Sequence, residues 1–367
     1  MNNPSPDDVR HMAHALQLAK YGFYTTDPNP RVGCVIVRDG LVVGEGWHRR
    51  AGEPHAEVHA LAAAGEQARG ATAYVTLEPC CHHGRTPPCS TALVKAGIVR
   101  VVAAMPDPNP RVASQGIAEL EKAGIRVDIG LLQAESERLN PGFISRMTRG
   151  RPYLRVKLAA SLDGRTALAN GESKWITGEA ARADVQRLRA RSSAILTGIG
   201  TVLADDPSLT VRDLDVERQP LRVVVDPQLR MRTSARMLAL PGATLVVTGA
   251  GSEDAAATLR AAGAEVLCLP LDSERMDLTL LLEQLAAREV NEVLVEAGAT
   301  LCGELLCASL VDELVLYLAP HLLGSHARGL FDIPGLTSMA DRIALDIQDI
   351  RAIGKDWRIT AKLLTRS

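Results

Sequence analysis

Behind Ser5-Pro6-Asp7-Asp8, the apolar residues Val9, Met12, Ala13, Leu16 and Ala19 recur at helical spacing. Ser caps, Pro fits the first turn, and the acids face the positive end of the dipole, so a helix is expected to about Tyr21-Gly22. Val32 to Val37 is an apolar run and reads as a strand. Asp39-Gly40 is a hairpin turn, and Leu41 to Trp47 is the return strand. A helix then spans His55 to about Ala68, and a strand spans Ala73 to Leu77. Pro87-Pro88-Cys89 opens a helix to about Ala96, before a strand at Val99 to Ala104. Strands and helices alternate, so the fold class is α/β.

Leu139-Asn-Pro-Gly-Phe143 breaks this pattern, and the basic stretch Arg146 to Arg151 contains Gly150. A domain boundary is expected here, dividing the chain into 1–146 and 147–367. Tyr153 to Ala160 alternates charged and apolar residues and reads as a strand, with a turn at Ser161 to Gly164. A helix over Glu179 to Arg191 packs through Ala181, Val185 and Leu188. Ser193–Thr197, Leu221–Val225, Thr244–Thr248, Glu265–Leu269 and Glu292–Glu296 are short apolar runs. Such runs suit parallel strands buried on both faces. Glu313–Ala319, Ile343–Ile353 and Trp357–Leu364 read as further strands, forming an antiparallel edge.

A length of 367 residues suits two or three domains, and 46% hydrophobic with 23% charged residues is ordinary for a soluble globular protein. A net charge of −2 offers no basic field to nucleic acid, and 3% aromatics supply few stacking platforms. The seven cysteines are odd in number and cluster around one motif, as in a cytosolic metalloenzyme rather than a disulfide framework. No apolar run approaches the roughly 18 residues of a membrane span. The N-terminus lacks a basic n-region and an apolar h-region, so no signal peptide is expected and the cytoplasm is the default location.

The chemistry concentrates between Glu53 and Cys89. Glu53-Pro-His-Ala-Glu57 and Glu78-Pro-Cys-Cys-His-His-Gly-Arg-Thr-Pro-Pro-Cys89 read as a catalytic zinc site. His55, Cys80 and Cys89 are the candidate ligands. Imidazole and thiolate suit zinc, and a catalytic zinc leaves its fourth position to water. The metal makes that water a nucleophile near neutral pH, and a carboxylate that is not a ligand must carry the proton. Glu57, two residues past His55, is the candidate. Zinc deaminases share His-x-Glu followed by Pro-Cys-x-x-Cys. A closed structural zinc site needs a fourth ligand, and only three are apparent. Here the second cysteine follows the first by nine positions, which argues against the cytidine and nucleic-acid branches.

His-Ala-Glu-Val-His-Ala, Leu-Glu-Pro-Cys and His-His-Gly-Arg-Thr-Pro-Pro-Cys together resemble the bifunctional riboflavin-biosynthesis deaminase/reductase family. Lys157-Leu-Ala-Ala-Ser-Leu-Asp-Gly-Arg165, Ser173-Lys-Trp-Ile176, Thr201-Val-Leu-Ala-Asp-Asp-Pro207 and Val295-Glu-Ala-Gly298 resemble its reductase half, in the expected order. The resemblance implies a cytidine-deaminase-like three-layer domain, then a dihydrofolate-reductase-like α/β domain that uses NADPH. It implies zinc-dependent deamination of a diamino-pyrimidinone ribosyl phosphate, then reduction of the ribosyl group to ribityl. Ala159, Trp175, Thr201, Asp205 and Gly298, Ala299, Thr300, Leu301, Cys302 and Gly303 would lie along the cofactor. Ser173, Arg189, Leu209, Arg212 and Glu296 would contact the substrate, with both arginines as phosphate clamps. In the first domain, Asn29, His48, His82 and Arg85 are the substrate-binding candidates. The family also suggests a homo-oligomer, a dimer or larger, acting on a small-molecule phosphoribosyl-pyrimidine with no nucleic-acid or membrane partner.

Asp27-Pro-Asn-Pro-Arg-Val32 recurs as Asp107-Pro-Asn-Pro-Arg-Val112, read as two similar turns with the second copy structural. His59 follows His55 by four residues but lacks the metalloprotease order, so packing is the expected role. Cys81 stands where the family has Ser, either a competing thiol or a tolerated isostere. Cys34, Cys268, Cys302 and Cys307 are expected as buried small hydrophobes. Glu296-Ala-Gly-Ala-Thr-Leu-Cys-Gly-Glu304 is a strand end, Gly turn and helix start, able to offer free N–H groups to a phosphate. No G-x-G-x-x-G is present, so a Rossmann reading fails. The rival functions are a tRNA adenosine deaminase of the same superfamily and a non-catalytic zinc-stabilised module.

Overall fold

Ser5 and Asp8 start the first helix by capping each other. Asp8 N–H donates to Ser5 Oγ at 3.0 Å, and Ser5 N–H donates to Asp8 Oδ2 at 3.2 Å. The Asp8 carboxylate also takes Tyr74 Oη and the Arg100 guanidinium, so the cap is fastened to the sheet beneath it. The computed structural model describes residues 5–81, 88–110, 112–249, 252–272 and 275–364. The chain folds as two compact units, Met1–Arg151 and Pro152–Ser367.

In the first unit the order is α1 (Pro6–Ala19), β1 (Gly33–Arg38), β2 (Leu41–Trp47), α2 (Ala56–Ala64), β3 (Thr72–Val75) and α3 (Cys89–Ala96). Then come β4 (Arg100–Ala103), α4 (Gln115–Lys122), β5 (Arg126–Ile129), α5 (Gln133–Leu139) and α6 (Pro141–Arg149). The strands form one sheet in the order β2-β1-β3-β4-β5. The first two junctions are antiparallel and the last two parallel. Met12, Leu16 and Ala19 of α1 pack on Val35, Tyr74 and Val102 of one face. Ala56, Ala60 and Ala64 of α2, with Leu93 and Leu120, cover Ile36, Val75 and Val101 of the other. Three layers result.

Two glycines let α2 lie this close. A Cβ on Gly46 would stand 2.4 Å from Ala56 O, and one on Gly44 would stand 2.2 Å from Ala60 O. Alternate strand positions share a face, so Gly44-x-Gly46 cuts a groove for an alanine-lined helix. That groove sets the depth of the first turn of α2, which carries His55 and Glu57.

The expected break is there: α5 ends at Leu139, and Asn140 separates it from α6, which has Pro141 in its first turn. Pro is favoured there because its missing N–H has no helical partner to lose. The division between the two units therefore falls after Arg151, not after residue 146.

The second unit begins with β6 (Tyr153–Ser161), β7 (Arg165–Ala167), α7 (Glu179–Arg191), β8 (Ala194–Gly198), α8 (Ile199–Asp205) and β9 (Leu221–Val225). It continues through β10 (Thr244–Thr248), α9 (Glu253–Ala261), β11 (Glu265–Cys268), β12 (Leu271–Asp272), β13 (Arg275–Met276), α10 (Leu278–Ala287) and β14 (Glu292–Val295). It closes with α11 (Ala299–Cys307), β15 (Glu313–Ala319), β16 (Arg328–Gly329), β17 (Leu345–Ile353) and β18 (Asp356–Leu363). Among the described residues the main sheet has nine strands, ordered β11-β10-β9-β8-β14-β6-β15-β18-β17. Strands β11 to β15 in that order are parallel. Apart from the half-buried edge strand β11, their apolar runs are buried on both faces, by α10 and α11 on one side and by α7, α8 and α9 on the other.

Glu313–Ala319 was expected at an antiparallel edge. Instead β15 pairs parallel to β6, and only β18 and β17 beyond it run antiparallel. Its only charged residue is Glu313 at the start, and the rest is apolar apart from Tyr317, as suits a strand covered on both faces. Cys34 and Cys302 are buried as expected, but Cys268 and Cys307 are exposed. An apolar neighbourhood in sequence does not say which way a strand-end or helix-end side chain turns.

Candidate deaminase and reductase sites

In the first unit, two helix starts converge. His55 is the N-cap of α2, and Cys89 is the first residue of α3. Cys80 reaches them from the loop after β3. His55 Nδ1 lies 3.5 Å from Cys80 Sγ and 3.4 Å from Cys89 Sγ. The three donor atoms all lie within 4.8 Å of one another. Tetrahedral zinc, with bonds of about 2.3 Å to sulfur and 2.05 Å to nitrogen, separates N and S ligands by about 3.6 Å. The donor set and its spacing therefore fit one zinc ion with a position left open.

Electrostatics agree. A hydrogen bond from Cys89 leads the influences that hold the Cys80 thiol down at about 4, against its burial, with His55 adding to the effect. Cys89, pushed up, keeps the shared proton, which metal binding would release. Both helix N-termini also favour thiolate.

Glu57, in the first turn of α2, is 3% exposed, and its Oε2 has no hydrogen-bond partner among the described residues. Burial pushes its carboxyl up to about 7, with His55 opposing. A buried carboxylate oxygen left unpaired beside three metal donors suits a proton carrier.

Asn29 and His48 stand together at this site. Asn29 Nδ2 is 3.0 Å from His48 Nε2, and the His48 ring meets that of His55 edge-on at 5.2 Å. His82 and Arg85 lie outside the described residues. His59 is not in the donor cluster; its Nε2 is buried without a partner among the described residues. Cys81 turns away from the ligands, its Sγ 3.8 Å from Gln115 Oε1.

Sequence reasoning missed Glu78. Its carboxylate is 3% exposed and accepts four backbone N–H groups, from Asp107, Ser114, Gly116 and Ile117, at 2.9–3.3 Å. The second Asp-Pro-Asn-Pro turn and the start of α4 are thereby tied two residues upstream of Cys80. A Cβ on Gly116 would meet Pro79 O at 2.0 Å, so only glycine permits this approach. A carboxylate two positions before a candidate ligand was the available signal. Glu78→Gln is expected to weaken zinc binding about tenfold with the fold retained, because outer groups aim metal ligands; competition with a chromophoric chelator measures it.

In the second unit a cavity of about 760 Å³ opens at the C-terminal ends of the parallel strands. Four adjacent strands supply it: β9 through Val225, β8 through Gly198, β14 through Glu296–Gly298 and β6 through Lys157–Ala159. Crossing four strands takes about 14 Å at sheet spacing. Of the expected residues, Ala159, Ser173, Arg189, Thr201, Asp205, Leu209, Glu296 and Gly298 to Leu301 line it. Thr201 and Asp205 lie on α8, which ends at Asp205.

Four expected residues stand elsewhere. Trp175 is 69% exposed, with the Arg182 guanidinium 4.7 Å from its ring centroid. Cys302 is buried in the core. A Cβ on Gly303 would strike Asp332 O at 1.9 Å, so its smallness serves packing. The Arg212 side chain is exposed, and only its backbone is held, by Gln186.

Arg189, expected as a phosphate clamp, is the buried partner of Glu296, at 2.6 and 3.0 Å, and it also donates to Thr210 O at 2.9 Å. Lys157 Nζ adds to the same carboxylate at 3.4 Å. Burial would raise the Glu296 carboxyl, but Arg189 and Lys157 outweigh it and hold it at about 2.

The cavity suits a phosphorylated dinucleotide. Its volume falls in the range of small-molecule sites, about 300–1,000 Å³. The N-terminus of α11 opens onto it at Gly298, which makes no side-chain cap. Arg230 and Arg328 line it without an ion-pair partner among the described residues. Nothing local in the sequence marked these two arginines.

Comparison with known proteins agrees with both halves. Residues 5–105 match the family model described as "Cytidine and deoxycytidylate deaminase zinc-binding region". Residues 152–359 match the "RibD C-terminal domain". The chain is 54% identical over 362 residues to the "Riboflavin biosynthesis protein RibD" of Escherichia coli, covering 95% of this chain and 97% of that protein. It is 49% identical over 368 residues to the protein so named in Haemophilus influenzae, covering 97% of each. Among solved structures, "Acinetobacter baumannii RibD, form 1" superposes with a TM-score of 0.90 at 47% identity, covering 98% of this chain and 99% of that one. A Thermotoga maritima diaminohydroxyphosphoribosylaminopyrimidine deaminase/5-amino-6-(5-phosphoribosylamino)uracil reductase superposes at 0.86 with 32% identity, covering 98% and 99%.

Proposed function

The chain belongs to the RibD family of riboflavin-biosynthesis proteins, and on that premise we propose residue roles for its two successive steps on one phosphoribosylated pyrimidine. It is a bifunctional enzyme, a zinc-dependent deaminase and an NADPH-dependent reductase. The observation that carries the roles is the unpaired Glu57 Oε2 beside His55, Cys80 and Cys89.

His55, Cys80 and Cys89 would hold Zn2+, which would supply the Lewis acidity that lets water act as a nucleophile near neutral pH. The ring carbon bearing the 2-amino group is the point of attack. Glu57 takes the proton that water gives up and returns it to the departing amine, so ammonia leaves and a carbonyl replaces the amino group. Asn29 holds the pyrimidine.

In the second unit the cavity over β9, β8, β14 and β6 holds cofactor and substrate together. Bound there, NADPH would supply the hydride that reduces C1 of the opened ribosyl group to ribityl, a proton being taken up from solvent. The N-terminus of α11 at Gly298 would take a phosphate, and Ala159, Thr201 and Asp205, which line the cavity, would lie along the cofactor. The Arg189–Glu296–Lys157 cluster sets the charge at the substrate end, beside Ser173 and Leu209. With Arg189 bonded to Glu296, it orders this end of the cavity more than it clamps phosphate.

An RNA deaminase reading is not favoured, since the reductase region fills residues 152–359. A net charge of −2 supports a small-molecule substrate without a nucleic-acid partner. Among the described residues no helix is long and apolar enough to cross a membrane. The enzyme works in the cytoplasm as a homo-oligomer, as family resemblance implies.

Ammonia release and NADPH oxidation, followed with the diamino-pyrimidinone ribosyl phosphate, test this reading. Ammonia is expected first and NADPH consumption after it, with a zinc chelator stopping both. Given the deaminated intermediate instead, NADPH oxidation should survive the chelator. Ammonia without NADPH oxidation would overturn the role of the second cavity.

A further inference from the structure

His48 is 2% exposed, and both of its ring nitrogens are engaged. Nδ1 lies 3.2 Å from Pro54 O, and Nε2 lies 3.0 Å from Asn29 Nδ2. A carbonyl oxygen can only accept, so Nδ1 must carry the ring proton. In a neutral imidazole Nε2 is then a bare acceptor, and what it faces must donate. The Asn29 group turned toward His48 is therefore the NH2. With Asn29 Nδ2, a donor, 3.0 Å from Nε2, that nitrogen accepts, so both contacts fit the one tautomer protonated at Nδ1.

The backbone fixes the other end of Asn29, whose N–H donates to Thr26 O at 2.8 Å. With NH2 committed to His48, Oδ1 is the polar atom left over. It has no hydrogen-bond partner among the described residues, and Asn29 is only half-buried. On its other side His48 packs edge-on against the ligand His55. The free oxygen thus belongs to the edge of the deaminase site.

We infer that His48 is a positioning residue that locks the Asn29 amide with its oxygen toward the substrate, so the site selects a pyrimidine edge that presents an N–H. This rests on the deaminase reading and deepens it. A lactam ring N–H or an amino group beside the reacting carbon satisfies Oδ1. A ring nitrogen with a lone pair at that place meets oxygen against nitrogen and is rejected by repulsion and desolvation. The Pro54 carbonyl, one residue before the zinc ligand His55, sets this polarity through a chain of two hydrogen bonds. His48 itself need not touch the substrate.

The test begins with nitrogen NMR of the full, zinc-loaded chain labelled with 15N-histidine. His48 is expected with a protonated Nδ1 and an unprotonated Nε2. A proton on Nε2 would turn the Asn29 oxygen toward His48 and overturn the inference without any activity being measured. His48→Phe keeps a ring against His55 and removes both nitrogens. It is expected to raise KM for the diamino-pyrimidinone ribosyl phosphate about tenfold, with kcat within about threefold and zinc content unchanged. His48→Gln, whose side-chain oxygen can accept from Asn29, should recover most of that KM. An unchanged KM in His48→Phe, or no recovery in His48→Gln, also counts against it. Failure of the wild-type chain to release ammonia at all would instead remove the deaminase reading, and the tautomer would stand.

Discussion

Glu57→Gln is expected to cut ammonia release about 10³-fold, within the range a positioned proton carrier contributes. Glutamine keeps the length and shape of the side chain but cannot hold a proton and hand it back. The site is closed to substitutes, since Glu57 is 3% exposed and solvent does not reach its free oxygen. The ligands His55, Cys80 and Cys89 are untouched, so the variant should bind zinc stoichiometrically. NADPH oxidation on the deaminated intermediate should equal that of the wild type. This combination separates a catalytic zinc from a structural one. Ammonia release within tenfold of wild type, with zinc bound, would falsify the proton-carrier role.

Arg189→Met is expected to destabilise the second unit by about 3–5 kcal/mol, the cost of leaving a buried charge without its partner. Met preserves bulk but leaves Glu296 facing only Lys157 at 3.4 Å. The loss should appear as a lowered unfolding midpoint of the reductase, together with loss of NADPH oxidation, while ammonia release persists. The pH dependence has a definite sign. The folded Glu296 carboxyl is held at about 2, below its ordinary 4.5. A depressed pKa contributes stability above the unfolded value and loses it as pH falls through the folded one. The wild-type unit should therefore lose this contribution between about pH 4.5 and 2, and the variant should have less to lose in that window. Equal midpoints for the two proteins near neutral pH would show that the ion pair is not structural.

The legible parts of the chain were those whose cause lies close by in sequence. The α1 cap is written in four residues, Ser5 to Asp8. The Asp39-Gly40 hairpin shows as a positive φ at both residues, 51° and 77°, the backbone that such a turn demands. His55, Cys80 and Cys89 were recognisable because few residue types ligate zinc, and Glu57 because a proton carrier must sit near a ligand. The apolar runs of β8, β9, β10 and β14 announced a parallel sheet before any topology was known.

Other features depended on partners far apart. Glu296 meets Arg189 across 107 positions. Glu78 takes N–H groups 29 to 39 positions away, and a carboxylate beside Pro-Cys looks alike whether it faces water or four amides. The parallel pairing of β15 with β6 was missed because one apolar strand reads the same in either orientation. The break at Asn140 was legible, but that Pro141 then starts another helix was not, because Pro both ends and begins helices.

By itself, then, the sequence determined the α/β class and pointed to the candidate zinc donors and to Glu57 as the proposed proton carrier, since caps and turns act over a few residues and few residue types ligate zinc. Tertiary structure alone decided how the Asn29 amide turns, that Arg189 is bonded inward to Glu296, and that Arg230 and Arg328 reach the reductase cavity while Trp175 and Arg212 do not. Those outcomes rest on which groups share a small, partly dry volume, and sequence separation carries no record of that.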